Sequence, residues 1–226
     1  MNPFACSGIY PILDAAWLEA PGIVPEAVAR RLGALPIAMV QLRCKGNGRQ
    51  AHDFFARWLP LLRHHAPGLP ILINDRLDLA LHLEADGVHV GQEDVPVSAC
   101  RKWLGDRRII GLSAHTVTEL REAEAWGVDY VGCGPVFATR TKDDTQPVLG
   151  VEGLKELVRA TRLPVAAIGG ITLEHLSAVA GAGAWTAAMI SDLWRGDWSS
   201  RLGEACEAWG RAATVPLCLE LQKNRH

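Results

Sequence analysis

The feature that most constrains the fold is a regular alternation, along almost the whole chain, between short apolar runs and longer segments with helical periodicity. Such alternation is typical of βαβ units, whose strands form a parallel sheet. We predict eight strands, at residues 8–13, 39–43, 70–74, 87–90, 109–113, 130–133, 165–168 and 186–190. Open doubly wound sheets usually have about five or six strands, so eight strands and eight crossovers favour a closed α/β fold, an eight-stranded parallel (β/α) TIM barrel.

The segments between the predicted strands carry the apolar spacing of amphipathic helices. We predict helices at residues 24–32, 51–65, 76–85, 97–104, 117–127, 151–162 and 173–183. The chain has 226 residues, of which 49% are hydrophobic, and barrels of about 250 residues routinely form one domain around one core. We therefore expect a single TIM-barrel domain over residues 1–226, with the barrel at about 8–211 and a C-terminal tail at 212–226.

Charge and composition argue against several classes of partner. A formal net charge of −2 and a pI near 6.4 give no general attraction to nucleic acid or anionic membranes. No stretch approaches the roughly 18 apolar residues of a membrane span, and the N-terminus lacks the pattern of a secretory signal. The six cysteines are scattered without a CxxC pair, which indicates reduced thiols in a reducing compartment. We expect a cytoplasmic protein that binds small molecules; homo-oligomer formation is left open.

Polar residues stand where the second, third and fourth predicted strands end, and a barrel of this kind carries its chemistry at the C-terminal ends of its strands. They are Gln41, Arg43, Lys45, Asn74, Asp75 and Asp94. The two-residue period of a strand places Gln41, Arg43 and Lys45 on one side. Two carboxylates near cationic side chains suit a hard divalent cation that bridges to phosphate oxygens, so Asp75 and Asp94 are candidate metal ligands.

Each of these positions also has a purely structural interpretation. The charges after the second strand fit a chain that is simply leaving the core. Asp75 fits the cap of a helix that starts at the next residue, and Asp94 fits a cap or turn before Pro96. His89 alternates with Val88 and Val90, which points its ring into the barrel mouth, but a satisfied core histidine fits the same pattern.

Hydroxyls and glycines follow the later strands. Ser113 lies where the fifth strand passes into its loop, and the sixth strand is followed by a long loop with Thr139, Thr141 and Lys142. That loop suits phosphate oxygens or a lid over the site, and a flexible surface loop is the alternative. The seventh strand ends in Gly169-Gly170 and the eighth in Ile190-Ser191. The loops after strands seven and eight are the recurrent phosphate site of such barrels, so we predict that an anion binds there.

Seven blocks of sequence together resemble the thiamine phosphate synthase family. They are QLRCK (41–45), IND (73–75), ADGVHVGQED (85–94), GLSAHT (111–116), GCGPVFATRTK (132–142), AIGGIT (167–172) and MIS (189–191). The resemblance runs from about residue 10 to residue 194, with the blocks in matching order and spacing. It implies a barrel enzyme that joins hydroxymethylpyrimidine diphosphate to hydroxyethyl-methylthiazole phosphate, releases pyrophosphate and requires Mg²⁺.

The resemblance also implies roles for individual residues. The pyrimidine diphosphate would contact Gln41, Arg43, Lys45, Asn74, Ser113 and Lys142, with His89 near the pyrimidine ring. Among these, Lys45, Arg43, Lys142 and Ser113 would be catalytic. Asp75 and Asp94 would hold Mg²⁺. The thiazole phosphate would bind at Thr139, Thr141, Gly170, Ile190 and Ser191.

Two other functions remain open from the sequence. A thiazole tautomerase shares the barrel and the phosphate loops, but lacks the aspartate pair and the complete TxTK loop. A non-catalytic sensor would keep the pocket without turnover. The chain also departs from the family pattern in two places: Asp143 and Asp144 follow Lys142, and Trp185-Thr186 stand at the N-terminal end of the eighth strand, where a change of packing is expected.

Overall fold

The computed structural model describes residue 4 and residues 7–20, 22–139 and 146–213. Two of the predicted site residues, Thr141 and Lys142, lie outside the described residues. So does the predicted C-terminal tail from residue 214 onward.

Eight parallel strands form a closed barrel, as the alternation predicts. They are Gly8–Asp14 (β1), Val40–Arg43 (β2), Ile71–Asn74 (β3), Gly87–Val90 (β4), Ile109–Ala114 (β5), Tyr130–Cys133 (β6), Val165–Ile168 (β7) and Thr186–Met189 (β8). Each strand pairs with the next along the chain, and β1 pairs with β8. The prediction of an eight-stranded TIM barrel is therefore confirmed, and the strand boundaries differ from the predicted ones by at most one residue.

Helices cover the outside of the barrel. They are Ala15–Leu18 (α1), Pro25–Gly33 (α2), Gly48–His65 (α3), Leu77–His82 (α4), Val97–Leu104 (α5), Val117–Trp126 (α6), Gly150–Ala160 (α7), Leu176–Gly181 (α8) and Trp198–Ala212 (α9), with a 3-10 turn at Leu173–His175. The sequence predictions omit α1 and α9. The Asp197 side chain accepts from the Ser200 N–H and caps α9, which packs against α8 and β1.

The alternation of side chains along each strand creates two apolar cores. Outward side chains such as Ile9 and Leu42 pack with the helices, whereas Tyr10 and Tyr130 lie in a smaller cluster inside the barrel. Trp185, where the sequence departs from the family pattern, joins that inner cluster and meets Phe4 edge to face, with ring centroids 5.0 Å apart. The barrel is thus a filled core with its polar groups concentrated toward one end.

No helix among the described residues is both long enough and apolar enough to cross a bilayer.

Candidate active site

Four of the predicted site residues come from three neighbouring strands and line one cavity within the barrel. Gln41 and Arg43 lie on β2, Asn74 ends β3, and His89 lies on β4; each is less than 9% exposed. The cavity is small and is closed by apolar residues of β1, β7 and β8. Polar side chains buried this deeply need hydrogen-bond partners. Gln41 bonds to Tyr10, Arg43 to Asp14, and His89 to Tyr130 and Ser113, so these three residues are held by other side chains of the barrel.

A cationic and acidic cluster stands at the rim next to this cavity. Lys45 Nζ lies 2.6 Å from Asp75 Oδ2, although the two residues follow different strands. Asp75 has a φ of 60°, in the left-handed region that side chains other than glycine seldom adopt, and this conformation is common at functional sites. Burial raises the pKa of Asp94, and the nearby Asp75 carboxylate raises it further by repulsion, while Lys45 lowers it. The two carboxylates are therefore close enough to oppose each other's ionisation.

The purely structural interpretation fails for Asp75 but holds for Asp94. Helix α4 has Arg76 at its N-cap without a side-chain cap, so the interpretation of Asp75 as a helix cap is wrong. Asp94 does hold a turn, because its Oδ2 accepts the Gly91 N–H at 2.7 Å. That turn leaves the carboxylate beside Asp75, so a structural role and a metal-binding role are compatible at Asp94.

The pair could hold a hard divalent cation that takes few ligands from the protein. Across the described part of the chain, no group of three or more His, Cys, Asp or Glu side chains is arranged to hold a metal. Mg²⁺ typically keeps several waters and takes only one or two carboxylates together with substrate phosphates. Two mutually repelling carboxylates also favour a cation between them, because it would relieve the repulsion that raises the pKa of Asp94.

Arg43 is held by a residue that the sequence analysis did not single out. Its Nη1 forms a short ion pair with Asp14 Oδ2, and both side chains are nearly inaccessible. Its Nε is buried without a hydrogen-bond partner among the described residues. A buried guanidinium N–H without a partner is costly, and an anionic ligand would satisfy it. Asp14 directly follows the apolar run of β1, and testing the residue after every strand, including the first, would have found it.

The predicted phosphate residues gather at the ends of β6, β7 and β8. Thr139, Gly170, Ile190 and Ser191 line one cavity, which Ser113 also lines. Gly170 has a φ of 63°, and a Cβ at this position would lie 2.5 Å from the Ala138 carbonyl oxygen. Only glycine allows the two loops to approach this closely. The loops after β6 and β7 therefore meet at this cavity, and the binding of an anion there stays a prediction.

The loop after β6 is tied to the loop after β7 by its own backbone. The Val136 N–H donates to the Ile168 carbonyl at 2.9 Å, and the Phe137 N–H donates to the Gly169 carbonyl at 2.9 Å. The Phe137 ring stacks on His175, with centroids 3.7 Å apart. Thr139 is therefore carried on a loop whose first half is fixed against the phosphate loop.

Three further polar residues complete the interior and were not predicted as site residues. Tyr10, Tyr130 and His115 lie next to the predicted residues: the tyrosines bond to Gln41 and His89, and His115 lines the cavity near Ser191. His115 Nδ1 donates to the Gly134 carbonyl, which fixes the ring at the cavity wall. A signal was present for the tyrosines, because the chain has only two and each lies on an inward strand position.

Comparison with known proteins agrees with this geometry. A family model described as thiamine monophosphate synthase matches residues 9–193. The thiamine-phosphate synthase of Myxococcus xanthus is 42% identical over 210 residues, which cover 92% of this chain and 94% of that protein. The thiamine-phosphate synthase of Syntrophomonas wolfei is 41% identical over 185 residues, covering 82% of this chain and 87% of that protein.

A solved structure has the same fold over nearly all of both chains. The thiamine phosphate pyrophosphorylase from Pyrococcus furiosus superimposes with a TM-score of 0.77 at 28% identity, covering 93% of this chain and 98% of that one. The family match spans most of the barrel, and the relatives align over most of their length. The chain therefore belongs to the thiamine monophosphate synthase family and is a transferase.

Proposed function

We propose that this chain joins hydroxymethylpyrimidine diphosphate to hydroxyethyl-methylthiazole phosphate, giving thiamine phosphate and pyrophosphate with the help of Mg²⁺. The observation that carries the proposal is that the barrel mouth has two sides with different chemistry. A charged cluster follows β2 to β4, and a glycine-containing phosphate cavity follows β6 to β8. In a closed barrel of eight strands these two sets face each other across the mouth, so two phosphorylated ligands would meet between them.

The diphosphate is proposed to bind on the side of β2 to β5. Arg43 and Lys45 would meet its oxygens, and the unpartnered Nε of Arg43 supports this assignment. Asn74, His89 and Gln41 line the inner cavity and would hold the pyrimidine ring, with Ser113 at its edge. Lys142 is proposed to approach from the loop after β6. These cationic groups would stabilise the charge that develops on the leaving diphosphate.

Asp75 and Asp94 are the residues that would hold Mg²⁺. When bound there, the ion would neutralise charge on the diphosphate oxygens. Lys45 is already paired with Asp75 and would remain beside the departing group. The ion pair is partly exposed, so it can rearrange when a charged ligand arrives.

The proposed chemistry breaks the carbon–oxygen bond between the pyrimidine methylene and the diphosphate. The electron pair of that bond leaves with the diphosphate, and the lone pair of the thiazole nitrogen forms the new carbon–nitrogen bond. No protein nucleophile takes part. The chain contributes position, charge stabilisation and the exclusion of water that would otherwise capture the methylene carbon.

The monophosphate is proposed to stay bound at the opposite side throughout the reaction. It would be held by Thr139, Gly170, Ile190 and Ser191, and by Thr141 of the predicted loop that also carries Thr139. Apolar residues of the same cavity, among them Ile168 and Met189, would cover the thiazole ring. Holding one phosphate while the other leaves fixes the nitrogen close to the methylene carbon.

One assay tests the whole proposal. Purified chain, the two phosphorylated precursors and Mg²⁺ should give thiamine phosphate and pyrophosphate in equal amounts, and EDTA should stop the reaction. Folded protein that forms neither product would overturn the proposal. Undiminished turnover in EDTA would overturn the metal assignment alone.

Lys142 allows a second, more specific test of the chemical step. Lys142→Ala should slow product formation in a single turnover while leaving the binding of both precursors nearly unchanged, since its proposed role is to stabilise the leaving diphosphate. Arg140→Ala, in the same loop, serves as the matched control and should keep the wild-type single-turnover rate. Equal losses in the two variants would count against the role of Lys142.

A tautomerase-like isomerase and a non-catalytic sensor are the alternatives. Neither requires a diphosphate, so neither accounts for Lys45 paired with Asp75 beside a second carboxylate. In the assay above, the isomerase would change a thiazole carboxylate without consuming the diphosphate, and the sensor would bind without product. We further propose that residues 8–211 form the catalytic barrel, with 212–226 as an appended tail, and that the chain works in the cytoplasm.

A further inference from the structure

A chain of hydrogen bonds between side chains crosses the interior of the barrel. Gln41 Nε2 donates to the Tyr10 hydroxyl at 2.7 Å, and the Tyr10 and Tyr130 hydroxyl oxygens lie 2.9 Å apart. The Tyr130 hydroxyl then lies 2.7 Å from His89 Nδ1, and His89 Nε2 lies 3.1 Å from Ser113 Oγ. The chain thus links β2, β1, β6, β4 and β5 and ends at the cavity mouth.

One direction of donation satisfies every member of this chain. An amide nitrogen can only donate, so the Tyr10 oxygen accepts from Gln41, and Tyr130 is the remaining partner among the described residues that can accept the Tyr10 proton. The single proton of Tyr130 is then given to His89 Nδ1. Because Nδ1 accepts, the ring is neutral and carries its proton on Nε2, from which it donates to Ser113.

The hydroxyls stay protonated under all ordinary conditions. Burial raises the pKa of Tyr10 far above its usual value of 10, and its hydrogen bonds with Tyr130 and Gln41 only partly offset this rise. Burial likewise raises the pKa of Tyr130, with Tyr10 adding to the shift. The two tyrosines therefore act as neutral donors rather than as acids in the reaction.

Two glycines make room for the centre of the chain. A Cβ on Gly111 would lie 2.2 Å from Tyr130 Cζ and 2.5 Å from His89 Nδ1. A Cβ on Gly132 would lie 3.0 Å from His89 Cε1. Gly111 on β5 and Gly132 on β6 both face His89, and neither has a positive φ, so the space and not the backbone conformation requires them.

We propose that Tyr130 is a positioning residue, which fixes His89 as the Nε2–H tautomer and so makes Ser113 present its hydroxyl hydrogen to the barrel mouth. Ser113 accepts from His89 and keeps one proton to donate. The group that it meets must therefore be an acceptor, such as a ring nitrogen or an anionic oxygen of the substrate. The assignment of Ser113 and His89 to the diphosphate substrate rests on the proposed function; the tautomer itself does not.

The tautomer is measured in the ligand-free protein, without turnover. The full chain is labelled with ¹⁵N-histidine, and long-range proton–nitrogen spectra are recorded for wild type and for Tyr130→Phe. His89→Gln identifies the His89 signals. We expect wild-type His89 to carry its proton on Nε2, and Tyr130→Phe to shift the population toward the Nδ1–H form. A proton on Nδ1 in the wild type, or an unchanged tautomer in Tyr130→Phe, would overturn the proposal.

Steady-state kinetics then test the consequence for Ser113. Tyr130→Phe should lower kcat/KM for the pyrimidine diphosphate by about tenfold, the upper range for one neutral hydrogen bond, and leave KM for the thiazole phosphate within about twofold. Phe55→Leu, a buried aromatic change among the outer helices, is the control: it should reduce stability without moving the His89 tautomer or either constant. Equal effects of the two variants on kcat/KM would contradict a positioning role. If neither protein turns over, the proposed function fails while the tautomer result stands.

Discussion

Arg43 and Asp14, which are register partners at the ends of β1 and β2, form an ion pair that is almost completely shielded from water. Their side chains are 9% and 4% exposed. Asp14 also accepts the Ala16 N–H through its other carboxylate oxygen, so it caps α1 while it holds the guanidinium. The position of Arg43 in the barrel mouth is therefore set before any ligand binds.

Asp14→Asn should destabilise the protein by about 3–5 kcal/mol, because it leaves a buried guanidinium without its counter-charge. Asparagine caps a helix about as well as aspartate, so the variant isolates the lost ion pair. Urea unfolding at pH 7 measures the change. Glu26→Gln, which breaks the exposed pair with Arg30, is the control and should barely move the unfolding midpoint. A loss of stability as small as that of the control would show that the Asp14 carboxylate does not stabilise the buried Arg43 guanidinium.

The fold was accessible from the sequence because strand period and crossover length are local properties. The alternation of apolar runs predicted all eight strands, and polar residues such as Lys45 and Asp75 stood where those strands end. Closure of the barrel then brings together residues that are far apart in sequence, as with Gly170 and Ser191 in one cavity. A rule about strand ends was therefore enough to find both halves of the mouth.

Contacts across the barrel interior could not be predicted from the sequence in the same way. Which inward side chains meet depends on strand tilt and on the volume of each residue, and neither follows from spacing along the chain. The bond between Tyr10 and Tyr130 joins residues 120 positions apart, and Gly111 is needed because Tyr130 and His89 lie over it. The Asp14 ion pair was missed for a simpler reason, since the rule about strand ends was not applied to the first strand.

The raised pKa of Asp94 predicts a dependence of stability on pH. Burial is its largest cause, and Asp75 adds repulsion, so the native state holds this proton more tightly than the unfolded state. The stability that this proton contributes is fully present below the ordinary aspartate pKa of about 3.9 and is lost as pH rises through the raised pKa of the native state. Asp94→Asn should therefore raise Tm at pH 7 in EDTA, and the gain should disappear near pH 3.5.

Metal binding should make the wild type more stable than Asp94→Asn, the reverse of the order expected in EDTA. If Asp94 is a ligand, Mg²⁺ at about 100 times its Kd should stabilise the wild type by about 2.7 kcal/mol and should not stabilise Asp94→Asn. Differential scanning calorimetry with and without Mg²⁺ measures both effects. Asp106→Asn changes an exposed carboxylate far from the mouth and should keep the full response. An equal Mg²⁺ response in Asp94→Asn would contradict the ligand assignment.

The buried cysteines should be inert until the protein unfolds. Burial raises the pKa of Cys133 to about 12 and that of Cys206 to about 12, so almost no thiolate is present at pH 8. Among the four cysteines that the structure describes, Cys44 is only partly buried and should react first. Iodoacetamide labelling at pH 8, read by peptide mass spectrometry, should modify Cys44 in the native protein and reach Cys133 and Cys206 only in denaturant. Native labelling of Cys133 at the rate of Cys44 would show that the barrel opens readily.

Gly170→Ala should damage the monophosphate site far more than it damages the fold. A φ of 63° costs a residue with a Cβ about 1–2 kcal/mol, and the added Cβ would lie 2.5 Å from the Ala138 oxygen, so the two phosphate loops must separate. A shift of about 1 Å at a binding loop can cost on the order of a hundredfold in kcat/KM, which we expect for the thiazole phosphate. Gly127→Ala is the matched control, because Gly127 has a φ of 70° with open space around its Cβ position, and it should lose similar backbone stability with unchanged kinetics. Steady-state assays of the two variants at saturating diphosphate separate the effects, since a common backbone cost cannot produce a difference in kcat/KM between them.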